Sequence, residues 1–354
     1  MDYLRLDEMC DLNMGQSPSS ESYNQEEEGI PFFQGNADFG EIYPITRVWC
    51  DKPTKVVGRG TLLISVRAPI GALNFATEKS CIGRGLAGLT AKNGYDLKYI
   101  YFALKYKEQE LNNKGTGSTF KAISKSSLGE VLIRNIAIEK QKECVKKLDL
   151  LQKMIIDERE QIERLDTLIK SRFVEMFGDM IHNPYGWEKA YLGDVCDVRD
   201  GTHDSPRYVE EGYPLVTSKN VTRGIIDFSD CNFICEADFK KINERSKVDY
   251  GDVLMPMIGT VGKPIIVDVN REFSIKNVAL IKFYKESRVN NVFVKEVLQS
   301  DYFDRAVISK IRGGTQKFIA LGDIRRLEIC IPKQRVQEEF TAFVKEIDKL
   351  KVMG

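Results

Sequence analysis

From residue 139 to 177 the chain contains no glycine or proline. Apolar side chains recur there at alternating intervals of four and three: Cys144, Leu148, Leu151, Ile155, Ile162, Leu165 and Ile169, with Glu158 as the polar interruption. That heptad seam predicts a long helix packed on a partner helix. At 1.5 Å per residue, ~39 residues span about 58 Å. Gly178 and the run Asn183-Pro184-Tyr185-Gly186 end it. A second stretch, 336–351, carries Phe340, Val344 and Ile347 at the same spacing. It reads as a shorter helix that pairs antiparallel with the first, an arrangement that would put the flanking domains at opposite ends of a rod.

On either side of the long helix the pattern changes to short apolar runs punctuated by glycine and proline, the mark of strands. Strands are expected over 61–66, 88–90 and 129–133, and again over 252–257, 278–283 and 326–331. Helical spacing joins Leu97, Ile100, Tyr101, Leu104 and Leu111, and later Phe293, Val297 and Leu298. The two sets are copies. LDEMCDLNMG (6–15) aligns with LGDVCDVRDG (192–201), so that Leu6, Cys10, Asp11 and Gly15 recur as Leu192, Cys196, Asp197 and Gly201. GRGTLLISVRAPIG (58–71) aligns with DYGDVLMPMIGTVG (249–262), and GSTFKAI (117–123) with GGTQKFI (313–319). The expected architecture is α+β: a first repeat over 1–138, a long helix over 139–177, a second repeat over 178–332 and a short helix over 333–354.

Composition narrows the function. Lys and Arg together number 52, as do Asp and Glu, and apolar residues make up 42%. This is a globular composition, with no apolar run near the ~18 residues of a membrane span. The acidic start lacks a signal core, which predicts a cytoplasmic protein with reduced cysteines. No phosphate loop, G-x-S-x-G elbow or H-E-x-x-H occurs. Cys231 and Cys235 lack a second pair for zinc, so no metal is expected. Gly83-x-Gly85-x-x-Gly88, with Glu108 twenty residues on, fits a dinucleotide fingerprint on paper. The stretch after Gly88 is too short for the helix that would face a pyrophosphate. Asn183-Pro184-Tyr185 is one proline short of an adenine-methyltransferase tetrad. His203 with Asp204 and Ser205 is too local for a charge relay, because adjacent side chains do not converge. No catalytic residue and no bound cofactor are expected.

The positive signal lies in loops. Lys114-Gly-Thr-Gly-Ser-Thr-Phe-Lys121 and Arg312-Gly-Gly-Thr-Gln-Lys317 sit at the same point of each repeat. Glycines allow a backbone to approach a phosphate, hydroxyls donate to it and cations neutralise it. Lys114, Thr116, Ser118, Lys121, Arg312, Thr315 and Lys317 are therefore candidate phosphate contacts. Gln16, Ser17, Asn36, Arg67 and Arg84 in the first repeat, with Thr202, His203, Lys219, Asn220 and Lys263 in the second, are candidates to reach DNA, where Arg, Asn and Gln read base edges. No segment is basic overall, so a DNA-binding face has to come from local clustering, and a partner is expected to help hold the duplex.

The tandem openings LDEMCDLNMGQSP and LGDVCDVRDGTHD, the 58–71 and 249–262 pair, the loop-strand runs GSTFKAISKSSL and GGTQKFIALGDI, and the linker FGDMIHNPYGW carry a resemblance over nearly the whole chain. It resembles the DNA-specificity (S) subunit of type I restriction-modification systems. The resemblance implies two target-recognition domains, each reading one half of a split duplex site, with the helix pair as a ruler between them. It further implies two docked methyltransferase subunits, which bind S-adenosylmethionine and methylate a flipped adenine, and motor-nuclease subunits that cleave unmodified DNA. The shorter second helix departs from an even repeat, naturally or by truncation, and bears on how fully a second methyltransferase docks. The rival reading is a non-catalytic scaffold whose repeats bind proteins without touching DNA.

Overall fold

The computed structural model describes residues 2–116, 121–222, 224–258, 262–310 and 318–353. The chain divides into two compact units, Met1–Asp157 and Glu158–Gly354.

Each unit is built to one plan. In unit 1 the opening strand Tyr3–Arg5 pairs antiparallel with the late strand Leu132–Arg134; in unit 2, Glu188–Tyr191 pairs with Glu328–Ile331 in the same way. Next comes a four-stranded antiparallel sheet. Its order is Cys10–Met14, Leu86–Ala91, Leu62–Ser65, Leu73–Phe75 in unit 1 and Asp197–Asp200, Val278–Lys282, Val253–Pro256, Ile265–Ile266 in unit 2. A second, mixed sheet contains one parallel pairing in each unit, Ile30–Phe33 with Ser80–Ile82 and Tyr213–Thr217 with Ser274–Lys276. The α+β class and the tandem repeat are as the sequence predicts, with the expected strands shifted at their ends by up to three residues: the one expected over 129–133 is Leu132–Arg134, and Gly129 closes the short helix Lys125–Gly129.

The glycines of the repeat show why it is kept. A Cβ on Gly15 would lie 2.2 Å from the Gly83 carbonyl oxygen, and one on Gly201 would lie 2.2 Å from that of Ile275. At this point the chain leaving Cys10–Met14, or Asp197–Asp200 in unit 2, passes directly against the backbone of the second sheet, and no side chain fits between.

The helical stretch expected over 97–111 is two helices, Leu97–Tyr106 and Glu108–Lys114, with Lys107 between them outside helical geometry. Asp96 caps the first through Lys98 N and Tyr99 N, and Asn290 caps its counterpart, Asn291–Leu298, through Phe293 N. Unit 2 carries an addition without a counterpart in unit 1, the helix Glu236–Ser246. It docks through a Tyr213–Phe239 stack at 3.8 Å.

The central helix runs Ile138–Phe177 and the C-terminal helix Gln334–Met353. In unit 2 they pair antiparallel. Phe340 meets Phe173 and Phe177 at ring separations of 5.6 and 5.2 Å, whereas Lys351, further along, bonds Asp166 at 2.7 Å. Ile169, Val344 and Ile347 join this core, with Leu165 packed against it and Ile162 half-buried.

The first half of the helix departs from the expectation. Leu148, Leu151 and Ile155, placed in the seam by their spacing, are 36%, 54% and 53% exposed. The stripe that packs on unit 1 is Gln141, Val145, Asp149, Gln152 and Ile156, one residue apart from the predicted seam. Its bonds are polar: Lys98 Nζ to Asp149 at 2.6 Å and Gln152 Nε2 to the Tyr101 hydroxyl at 3.1 Å. A hydrophobic pattern cannot reveal a face held by amides and an ion pair.

Gln141 also opens this stripe with a duplicated clamp. Its buried amide accepts from Asp96 N at 2.9 Å and donates to Ile136 O at 2.8 Å. In unit 2, Gln337 accepts from Asn290 N at 2.9 Å and donates to Pro332 O and Arg288 O, both at 2.9 Å. Each glutamine ties the start of its helix to the capped end of the helix beneath it.

Candidate nucleic-acid interface

In unit 1 several candidate residues converge. The turn after the strand Cys10–Met14 passes against Gly83 at Gly15, and Ser17 Oγ then accepts a bond from Arg84 N at 3.2 Å. Gly83 N donates to Phe33 O at 2.8 Å and Gly85 N to Gln34 O at 3.2 Å, which seats the 83–85 turn against the 34–38 loop. On the other side, Arg67 pairs with Ala122, and Ala68 N donates to Lys121 O at 3.1 Å. These three loops enclose a cleft of about 480 Å³ lined by Gln34, Asn36, Asp38, Arg67 and Arg84 among others. Lys121 stands exposed beside it.

Charge is what marks this cleft. Several arginines are neutralised locally, as Arg172 is by Glu175 at 2.8 Å and Arg199 by Asp197 at 2.8 Å. The exposed guanidinium groups of Arg67 and Arg84 have no partner among the described residues. Asp38 is the acid of the cleft. One of its carboxylate oxygens is spent on Gln34 N at 2.7 Å and Gly35 N at 3.2 Å. Two free guanidiniums flanked by Gln34, Asn36 and Ser17 offer both phosphate neutralisation and bidentate donors for base edges.

The other unit 1 candidates fall out differently. Gln16 is exposed at the rim, its carbonyl accepting from the Thr54 hydroxyl at 2.6 Å. Lys114 lies 3.8 Å from Glu110, which also holds Lys107 at 2.6 Å, so its charge is partly compensated. Thr116 pairs with Ala122 through its backbone and leaves its side chain exposed. Ser118 lies outside the described residues, as do Arg312, Thr315 and Lys317 of unit 2.

In unit 2 the corresponding turn is held by a tighter polar net. His203 Nε2 lies 2.7 Å from the buried carboxylate of Asp200, and Nδ1 lies 3.0 Å from Asn277 Oδ1. Arg245, from the added helix, bonds the other oxygen of Asp200. The bonds to Asn277 and then Asp200 push the His203 pKa up from its ordinary value, against a small opposing effect of burial and of Arg245. The carboxylate partner is thus Asp200 and not the adjacent Asp204, whose N–H bonds Thr202 Oγ1 at 3.1 Å. Lys276, which no sequence signal singled out, donates to Ser205 at 2.7 Å.

Two candidates of this unit have partners within the fold. Asn220 is 2% exposed. Its amide accepts from Thr217 N at 3.0 Å and donates to Asp227 O and Asp230 O, so it builds the turn and cannot reach a duplex. Lys219 is paired with Asp230 at 2.9 Å, which offsets its charge. Lys263 is exposed, without a partner among the described residues. The described residues beside the two phosphate-loop candidates are paired alike: Ile258 pairs with Phe318 as Arg67 pairs with Ala122.

Comparison with known proteins agrees with this duplicated plan. The model of the type I restriction modification DNA specificity domain matches residues 1–166 and again 184–352. The chain belongs to that family. Relatives of the specificity family include two from Methanocaldococcus jannaschii. A putative type I restriction enzyme MjaX specificity subunit is 44% identical over 154 residues, 43% of this chain and 36% of that protein. The MjaIX specificity subunit is 25% identical over 319 residues, 83% of this chain and 72% of that protein. Among solved structures, the type I restriction-modification S subunit from M. genitalium shares the fold across 99% of this chain and 90% of its own, with a TM-score of 0.56 at 17% identity.

Among the described residues no group of three or more His, Cys, Asp or Glu side chains is arranged to hold a metal ion, and no helix is long and apolar enough to cross a membrane.

Proposed function

We propose that this member of the specificity family is the DNA-reading subunit of a type I restriction-modification complex, in which each unit contacts one half of a split duplex site. The observation that carries the proposal is the unit 1 cleft, where Arg67 and Arg84 stand unneutralised beside Gln34, Asn36 and Ser17. Phosphate contacts from Lys121 and the 114–121 loop would set register, and the cleft would read base edges. In unit 2 the turn around Thr202, His203 and Lys276 would do the same work, with Lys263 and the 312–317 loop on the backbone.

On this reading the chain performs no chemistry and holds no cofactor. Methyltransferase subunits carrying S-adenosylmethionine would dock on it and modify adenine, and motor-nuclease subunits would join them in the cytoplasm. A chain without net charge fits a reader that shares the duplex with partners.

The test is binding of the full chain, alone and with its methyltransferase, to duplexes enriched from a random library. Arg67→Gln or Arg84→Gln should lower the salt slope by about 0.9 per lost phosphate contact, or relax one half-site by about 1–3 kcal/mol per lost base contact. Specific binding that both variants leave untouched would place the reading surface elsewhere. Failure of the wild-type complex to enrich any duplex would favour a scaffold.

A further inference from the structure

Within the proposed DNA-reading role, the two units differ in what holds the reading turn. Unit 1 relies on guanidinium groups and on Ser17, none of which titrates near neutral pH. Unit 2 relies on an imidazole. Both ring nitrogens of His203 face oxygen acceptors, Asp200 Oδ2 at 2.7 Å and Asn277 Oδ1 at 3.0 Å. A histidine donates from both nitrogens only as the imidazolium.

The groups around the ring are few and can be named. Asp200 comes from the strand Asp197–Asp200 and is buried; Arg245 comes from the added helix and shares that carboxylate. Lys276, at the end of the strand Ser274–Lys276, is turned away onto Ser205. Asp204 follows His203 in its own loop, where its N–H is held by Thr202. Asn277 sits at φ 56°, in the left-handed region, and its carbonyl oxygen accepts from Ser218 at 3.2 Å. The ring therefore bridges the end of one strand, a turn residue in a costly conformation and, through that residue, the 217–220 turn.

We infer that the protonated form of His203 positions the DNA-facing turn of unit 2, so that this unit loosens its half-site as pH rises through the histidine's titration while unit 1 does not. The imidazolium acts as a two-armed tie. Losing one proton removes one arm and loosens the Asn277 side chain, leaving the turns tied through Asn277 N to Thr202 O at 3.3 Å and Ser218 Oγ to Asn277 O at 3.2 Å. Both N–H groups are used inside the loop, so the residue is a positioning residue and not itself a base reader. The raised pKa agrees with the geometry: the ring holds its proton to higher pH than a free imidazole does, and the tie opens as pH rises through the histidine's titration.

The experiment uses the full chain and duplexes it enriches at pH 6, with affinity measured from pH 5.5 to 8.5 at constant salt. Wild-type affinity should fall several-fold over that range, and discrimination should be lost in one half of the site only. His203→Gln should bind weakly and evenly at every pH. Asn277→Asp, which adds a second carboxylate to the ring, should move the midpoint upwards. Melting temperatures check that the variants fold; if His203→Gln does not, the shift in Asn277→Asp carries the test. Identical pH profiles for wild type and the folded variants would overturn the inference and leave the DNA-reading role standing. Absence of any enriched duplex would instead remove that role.

Discussion

The antiparallel helix pairing of unit 2 can be tested against a control that the repeat itself supplies. Taking Gln141 and Gln337 as equivalent, Leu151 falls on Ile347. Ile347 is 6% exposed and packed among Phe173, Phe340 and Val344, whereas Leu151 faces solvent. Ile347→Ala removes three buried carbon atoms from a core that the neighbouring rings cannot readily refill. Core substitutions of this kind cost about 2–5 kcal/mol, and a site near a helix end sits towards the lower value, roughly 2–3 kcal/mol. Leu151→Ala removes the same number of atoms from an exposed position and should stay within about 0.5 kcal/mol. Urea denaturation followed by circular dichroism reads both, with the midpoint moving and the slope unchanged. Limited proteolysis should place the weakened segment of Ile347→Ala within 158–354. The reasoning fails if Leu151→Ala costs as much as Ile347→Ala, or if Ile347→Ala costs less than about 1 kcal/mol.

Two further outcomes rest on single residues. Gln337→Leu keeps the volume but strands Asn290 N and two carbonyl oxygens in a buried site; at about 1–3 kcal/mol for each unsatisfied group, it should destabilise unit 2 by roughly 3 kcal/mol or more in the same urea assay. Asp179 accepts from the N–H groups of His182 and Ile181 at 3.0 and 2.7 Å, and these bonds hold its carboxyl below the usual aspartate range. A lowered folded pKa means that the stabilisation is present above the ordinary value and is lost as pH falls through the folded one. Asp179→Asn should therefore lower the melting temperature at pH 7 and converge with wild type near pH 2.

Much of this molecule was legible as a pattern. The repeat was readable because its glycines do the same physical work twice, Gly15 over Gly83 and Gly201 over Ile275. The helix pair was readable where apolar residues make the contact, as at Phe173 and Phe340. It was misread between 141 and 156, where Gln141, Asp149 and Gln152 make it, because a hydrophobic count scores them as solvent-facing. Of the candidate DNA contacts, Ser17, Asn36, Arg67 and Arg84 were recoverable as loop residues, and folding brings them to one cleft. Asn220 has the same chemistry and is consumed by its own turn, a distinction of about one residue in loop register that composition cannot express. The Asp200, Arg245 and Asn277 net escaped because its members are far apart in sequence and one of them rides on a helix that the first repeat lacks. The two clamp glutamines could have been found by asking which polar residues recur at the same place in both copies.

Within each unit the two ends of the globular repeat are fastened together: Tyr3–Arg5 lies against Leu132–Arg134, and Glu188–Tyr191 against Glu328–Ile331. Whatever lies between such a pair of strands enters and leaves at one point. A stretch of gene exchanged between those strands, by recombination or by a cloning step, would arrive as a closed cassette that hands the chain on at an unaltered junction. The fold thereby separates a stretch that can change from the paired strands that close it.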